Sequence, residues 1–332
     1  MMPFDAVVVV SFGGPEGMDD VIPFLENVTR GRNVPPERLE EVADHYALFD
    51  GVSPINTQNR ALIAALRVEL DAHGIGLPIY FGNRNWDPFL TDTMREMADD
   101  GVRRALAFFT SAYSSYSGCR QYRENILAAQ EAVGEKAPEV MRTRMFFNHP
   151  GWIEANADHV RAALAQVAAA SDTHIAFTAH SIPLAMARKC RYEDQLRESA
   201  RLVADAVEAT DTALVFQSRS GPPQVPWLGP DILDHLRAIA ERGVTNVVVS
   251  PLGFVSDHLE VLYDLDIEAS NLAAELGQNF ARASSASTHP AFVSMIRELI
   301  EERLDLRQGR AAVGRYAANH DVCPADCCLP GR

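Results

Sequence analysis

Nowhere in these 332 residues does an apolar run approach the roughly 18 to 20 residues that cross a bilayer, and the four valines at 7–10 fall far short. No basic segment precedes them, so neither a signal peptide nor an anchor is expected, and the expected compartment is the cytoplasm. Bases are scarce beside acids, 30 Lys and Arg against 45 Asp and Glu, which leaves a formal charge of -15. That balance excludes a nucleic-acid role, which needs clustered cations along the phosphates, but leaves room for a small anion held where bases gather locally. Cysteine is sparse too: five residues, an odd count that builds no secreted disulfide framework, with three of the five in the last ten positions. A dinucleotide fingerprint is also missing. Gly13, Gly14 and Gly17 do not keep the G-x-G-x-x-G spacing and Pro15 breaks the turn, so a nicotinamide cofactor is excluded and a tight strand-to-helix turn accounts for the glycines.

What remains is an ordinary globular composition, 47% hydrophobic and 23% charged, long enough for two domains. Short β-rich runs at Ala6–Phe12, Pro78–Gly82, Ala105–Thr110, His174–Thr178, Ala213–Gln217 and Val247–Pro251 alternate with helical patterns at Asn56–Ala72, Thr91–Asp100, Ala155–Ala170, Tyr192–Ala209, Gly229–Glu241 and His289–Leu306. Alternation of this kind predicts an α/β fold with parallel sheets and right-handed crossovers. Pro88–Ser114 lies over Pro230–Ser256 without a gap, so a helix, a Gly-Val turn and a strand are written twice. Two similar halves meeting at a cleft are expected, residues 1–150 and 151–288, divided near Phe147–Trp152, followed by a C-terminal helix and Cys-containing tail at 289–332. Past Arg307 the periodicity fades, and the tail is expected to be disordered unless something ties it down.

The chain is organised around Val244–Glu268, a buried strand, a turn broken by Pro251 and Gly253, and a helix expected to be capped by Ser256. At 100° per residue Asp257, Glu260, Asp264 and Glu268 share one arc, opposite Leu259, Leu262 and Leu265. Such a stripe fits a solvated face or a carboxylate track at the carboxyl end of a strand, where open α/β sheets bind ligands. His180, in TAHSIP directly after another strand, is either a structural cap or a partner for Glu260 in acid/base or metal chemistry. Arg30, Arg32, Ser53, Arg84, Trp86, Tyr116, Arg120, Tyr122 and Arg123 offer carboxylate-binding and flat aromatic groups, or are scattered surface residues. Cys323, Cys327 and Cys328 suggest a metal site short of one ligand; Cys119 could complete it as a 2Fe-2S site, or the tail is loose and reduced. Cys190 is left over as a structural thiol.

Read in order, SFGGP, GVSP, TAHSIP, QSRSGPPQVPWLGP and SPLGFVSDHLEVLYDLDIE closely resemble the ferrochelatases over essentially the whole length. The resemblance implies the class II chelatase fold, with two flavodoxin-like (Rossmann-like) halves around a porphyrin cleft, and insertion of Fe2+ into the macrocycle. It further implies His180 and Glu260 as the active-site pair that handles protons and ligates the incoming iron, with Asp257 and Asp264 lining a route for iron or protons. Ser53, Tyr122, Phe12 and Arg30 match porphyrin-contacting positions. Phe12-Gly13-Gly14 replaces the Tyr-Gly-Thr turn of many Gram-positive members, which removes one metal ligand, and Thr29 and His45 stand where Arg is common. The segment ENVTRGRNVPPERLEEVADHY is polar where membrane-associated relatives carry an apolar lip, which favours coproporphyrin III over protoporphyrin IX as substrate. Some relatives hold a 2Fe-2S cluster on a cysteine near SYSGC and three in a C-terminal extension, a pattern that Cys119, Cys323, Cys327 and Cys328 match. Transient contact with haem-pathway enzymes is the implied partnership. Competing readings are a cobalt or nickel chelatase acting on a sirohydrochlorin-like ring, and a non-enzymatic iron-sulfur or haem sensor.

Overall fold

Four successive valines leave a strand with no polar face, so β1 (Ala6–Ser11) must be covered on both sides, and every residue in it is buried. It sits inside a four-stranded sheet with β2 (Ile79–Asn83), β3 (Arg104–Phe109) and β4 (Glu139–Arg142), in the order β2-β1-β3-β4. A second sheet repeats the plan with β5 (Thr173–His180), β6 (Thr212–Gln217), β7 (Asn246–Ser250) and β8 (Asn279–Arg282), in the order β6-β5-β7-β8. All pairings within both sheets are parallel. This computed structural model describes residues 3–31, 34–167, 173–222 and 224–331. Among them, no helix is long and apolar enough to cross a membrane.

The repeat read from the sequence is a repeat in space. Helix Leu90–Asp99 and helix Ile232–Glu241 have the same length, and each is followed by a glycine in the left-handed region, Gly101 at φ 79° and Gly243 at φ 83°. A side chain at either position would be strained, which is why the sequence writes Gly-Val twice. Strands β3 and β7 then enter the centre of their sheets. The six expected strands are present; β4 and β8 were not foreseen, because they are four-residue edge strands with mixed exposure and no apolar run. Helices Met18–Val28 and Pro36–Ala47 were likewise not marked by the periodicity. The helix expected over Ala155–Ala170 runs Pro150–Leu164, and positions 168–170 lie outside the described residues.

One apolar cluster draws on both sheets, joining Val7, Val9 and Phe108 to Ile175, Phe177 and Val248 through Phe146, Trp152 and Phe292. Phe292 belongs to helix Pro290–Arg303, which packs against helix Pro150–Leu164 of the second half and helix Ile55–Ala72 of the first. Beside it, the buried Arg144 guanidinium grips Glu302 with Nε 2.8 Å and Nη2 2.9 Å from the carboxylate oxygens, and Nη2 also donates to the Ala311 carbonyl at 2.7 Å.

The tail beyond Arg307 forms neither helix nor strand in its described part, yet polar contacts place it. Asn148 Nδ2 donates to the Tyr316 carbonyl at 2.7 Å, Glu198 Oε1 accepts from the Arg315 N–H at 2.6 Å, and Arg191 stacks 4.6 Å above the Tyr316 ring. Groups in the body of the protein thus supply the tie whose absence would have left this segment disordered.

Candidate active site

Strand β5 ends on His180 and β7 ends two residues before Leu252, so both deliver their carboxyl ends to the point where the order of the second sheet reverses. The segment after β7 turns back over the end of β5: Gly253 N–H donates to the Thr178 carbonyl at 2.9 Å. A Cβ at Gly253 would lie 2.6 Å from the Cα and Cβ of Ala179, so glycine alone permits the approach. That approach sets Glu260 opposite His180, with Oε2 3.5 Å from Nε2 and the two side chains 49% and 34% exposed. His180 Nδ1 lies 2.6 Å from the Ser181 carbonyl. A carbonyl can only accept, so Nδ1 carries a proton and Nε2 is the nitrogen free to exchange one. Tyr192 OH holds the His180 carbonyl at 3.0 Å, fixing the strand end from behind.

The helix expected to begin at Ser256 begins at Leu259 instead. Ser256 is buried with its Oγ 3.4 Å from Asn59 Oδ1, and His258 precedes the helix in extended conformation. From Leu262 to Ala269 the winding is π, with i to i+5 bonding, so the 100° spacing assumed for the acid stripe does not hold. The carboxylates part company. Asp257 is buried against Arg282 at 3.2 Å and Gln58 at 3.5 Å; Asp264 accepts from the Ser218 hydroxyl and from Gln217 Nε2 at 3.2 Å; Glu268 is exposed. Glu260 and Asp264 therefore face the ends of β5 and β6, while Asp257 is neutralised by an arginine.

Helices Met18–Val28 and Pro36–Ala47 close over this face by packing Val21, Phe24, Leu25 and Tyr46 on Leu259. His45 stacks on Tyr263 at 3.8 Å and 9°, tying the same pair of helices to the π-helix. Phe12, 37% exposed, meets Phe24 edge-on at 6.2 Å. Ser53 and Tyr122 stand differently from their expectation as ligand contacts, being 3% and 4% exposed. Ser53 is pressed under Gly14, where an added Cβ would sit 2.7 Å from its Oγ; Tyr122 is packed on Phe109 at 4.9 Å, with Arg84 4.5 Å over its ring. Arg84, not the tyrosine, takes the outer position. Arg30 is exposed after helix Met18–Val28, and Arg32 lies outside the described residues.

The cysteines converge from two distant stretches. Cys119, buried in a one-turn π-helix at Tyr116–Arg120, lies close enough to Cys323 and Cys328 for their thiols to shift its own, and the Cys327 and Cys328 sulfurs are 3.5 Å apart. Cys328 turns into the left-handed region at φ 55° and is buried, while its neighbour Cys327 is half-buried. The ligating atoms of His320, Cys323 and Cys327 lie within 4.8 Å of one another, so His320 joins a group that cysteine spacing alone had not revealed. Arg142 Nη2 donates to Cys323 Sγ at 2.8 Å, and Arg120 Nη1 holds the Ala325 carbonyl at 2.7 Å. Cys190 stands outside the group and donates to the Met186 carbonyl at 3.4 Å.

The ferrochelatase family model matches residues 4–304. The chain belongs to the ferrochelatase family. It is 60% identical over 329 residues to a ferrochelatase of Rhodopirellula baltica, covering 98% of this chain and 94% of that one. It is also 53% identical to the coproporphyrin III ferrochelatase of Nocardia farcinica, covering 100% and 98% of the two chains, and 51% identical to that of Streptomyces griseus, covering 98% and 93%. Among solved structures, SirB from Bacillus subtilis with Fe3+ superposes with a TM-score of 0.51 at 12% identity over 89% of this chain and 94% of that one. A multi-domain protein of Deinococcus radiodurans with structural similarity to chelatases gives 0.55 at 15% identity over 92% and 56%. These two likenesses show the two-sheet fold.

The electrostatics of this ferrochelatase-family cleft separate its acids. Burial alone would raise Glu260, but the bond and charge of His180, helped by His258, outweigh it and bring the carboxyl down to about 2. Burial likewise opposes charge on His180, and Glu260 with the Ser181 carbonyl overcomes it, so the imidazole is raised. Asp264 goes the other way: burial, reinforced by the Glu260 charge, lifts it to about 7 against the bonds from Ser218 and Gln217. One carboxylate is thus held ionised and its neighbour is poised near neutrality, the pattern by which one site runs both acid and base steps. His258 is lowered by burial, with the Glu260 charge opposing and the His180 charge adding to it. Its place two residues before Glu260 was visible in the sequence, but only the extended backbone at this position brings it to the same cleft. In the cysteine group, hydrogen bonding with Cys119 and burial push the Cys323 thiol up to about 12. Cys119 rises to about 11, its bond with Cys323 pulling down while its bond with Cys328 and burial push up.

Proposed function

We propose that this chain inserts ferrous iron into coproporphyrin III, exchanging two pyrrolic protons for one Fe2+. The observation that carries the reading is the His180–Glu260 pair, 3.5 Å apart at the carboxyl ends of β5 and β7. Relatives at about half identity over nearly the whole chain, named coproporphyrin III ferrochelatases, support the choice of ring.

In this reading Glu260, held ionised, is the oxygen ligand that takes iron from water, and imidazole and carboxylate are donors suited to Fe2+. Iron charge on Glu260 weakens its hold on the proton at His180 Nε2, which leaves towards Asp264 and solvent, and the emptied nitrogen takes the two pyrrolic protons one after the other by the same exit while the Ser181 carbonyl keeps the ring oriented. Asp264, near half-ionised at neutral pH and bonded to Ser218 and Gln217, passes protons outward. Asp257 serves the fit of the two halves through Gln58 and Arg282. Phe12, braced from behind by Phe24, supplies an apolar edge for the macrocycle, and Arg84 beside Phe12, with the exposed Arg30, offers cations for its carboxylates.

The four convergent thiols, with Arg142 beside them to offset thiolate charge, fit a 2Fe-2S cluster held by Cys119, Cys323, Cys327 and Cys328. Bound there, such a cluster supplies a one-electron couple and a covalent link between tail and body.

The test is anaerobic mixing of the purified protein with Fe2+ and either coproporphyrin III or protoporphyrin IX, following the collapse of the four visible bands of the free ring to two. Fast insertion into coproporphyrin is the expected result. Preference for protoporphyrin overturns the choice of ring and keeps the reaction; insertion into neither overturns both.

A further inference from the structure

A second cavity lies away from the cleft, along edge strand β4, where helix Gln121–Val133 and the tail close over the first sheet. Its volume is about 300 Å³, at the lower end of small-molecule sites and separate from the carboxyl ends of β5 and β7. The floor is apolar, made by Phe109, Ile126 and Met141. Three guanidinium groups, those of Arg123, Arg142 and Arg303, border it against one acid, Asp321, in a chain whose overall charge is -15.

The arginines are not equivalent. Arg142 is used on the Thr143 carbonyl at 3.0 Å and on Cys323 Sγ at 2.8 Å. Arg303 lies 3.5 Å from Asp321, which Arg310 also holds. Arg123 Nη1 is buried and has no hydrogen-bond partner among the described residues. The Arg123 guanidinium borders the cavity while its Nη1 is covered, and the partner that three guanidinium groups over an apolar floor favour is an anion with an apolar body.

We propose that this cavity binds an organic monoanion with an apolar body, a medium-chain or aryl carboxylate, its carboxylate on Arg123 and its body on Phe109, Ile126 and Met141. The site is distinct from the His180–Glu260 site by position, sharing no lining residue with it. Because Cys323 lines the same cavity, a bound anion rests against the segment that carries the cysteine group.

Calorimetric titration of the full chain with octanoate and with octan-1-ol tests this, the alcohol having the same body without the charge. Saturable one-site octanoate binding is expected, at least tenfold tighter than octanol, and unchanged when coproporphyrin III is present at saturation. Arg123→Gln should weaken octanoate at least tenfold without moving the melting temperature. Leu127→Glu, an exposed position at the mouth, should weaken it as well by placing a negative charge there. Equal binding of octanol, competition by coproporphyrin, or octanoate binding indifferent to both substitutions overturns the site. So does an Arg123→Gln variant that alters the visible spectrum of the cysteine centre while octanoate binding stays intact, since Arg123 would then serve the sulfurs.

Discussion

Glu260 Oε2 lies 3.5 Å from His180 Nε2, while the other nitrogen of that imidazole is pinned 2.6 Å from the Ser181 carbonyl. One side of the ring is fixed and the other is left to chemistry. Replacing Glu260 by Gln should lower kcat for iron insertion by about 10²–10⁴-fold, the usual weight of an acid/base group. Since the two residues act as a unit, His180→Ala added to Glu260→Gln should cost little more than either alone. Stopped-flow insertion rates on the two single variants and the double variant check this; multiplicative losses would show two independent roles.

Asp264 is the pH-sensitive member of the site. Its folded-state value of about 7 stands above its ordinary 3.8, so the folded chain holds that proton more tightly than the unfolded chain does. The stability it contributes is complete below about pH 4 and is lost as pH rises to about 7. Asp264→Asn should therefore raise the melting temperature progressively from pH 4 to 7 with no further gain above, while flattening the pH profile of iron insertion near neutrality. Melting curves across that range decide; an equal shift at every pH would mean that the aspartate is not titrating there.

The Arg144–Glu302 pair is buried on both sides, with side chains 0% and 3% exposed. Removing the charge of one partner strands the other, at a cost of about 3–5 kcal/mol. Glu302→Gln should show that loss in urea unfolding, with release of the tail at Ala311, which shares the same guanidinium.

Cys119→Ser and Cys190→Ser separate the cysteine group from the remaining thiol. The first should abolish visible absorption and bound iron and loosen the tail to proteolysis, and the second should leave both unchanged. Loss of colour in neither variant would show that no cluster is held by Cys119.

Much of this architecture was legible because its causes are local. Val7–Val10 admits only a doubly covered strand, and the paired Gly-Val turns announced two copies of one unit. His180 and Glu260 could be named because each follows a strand end. What stayed hidden depended on contacts between distant segments. Strands β4 and β8 exist because neighbours supply hydrogen bonds that their own side chains do not advertise. The Ser256 cap and the single-arc acid stripe assumed uninterrupted α-winding, and the π-turns from Leu262 onward, together with Arg282 on Asp257, rearranged them. Tyr122 reads as a surface aromatic until Arg84 is seen lying over it, and His320 acquires meaning only when the turns of the tail bring it to Cys323 and Cys327.

The apolar cluster shared by both sheets bears on how a flat ring as large as a porphyrin gets in and out. Two halves welded through Trp152 and Phe292 cannot swing apart like jaws without tearing open their common interior. The helical flap of Met18–Val28 and Pro36–Ala47 stands outside that shared interior, seated on Leu259, Phe12, Trp86 and the His45–Tyr263 stack. Substitutions in that seat should therefore change how readily a ring enters without disturbing the frame that holds His180 opposite Glu260.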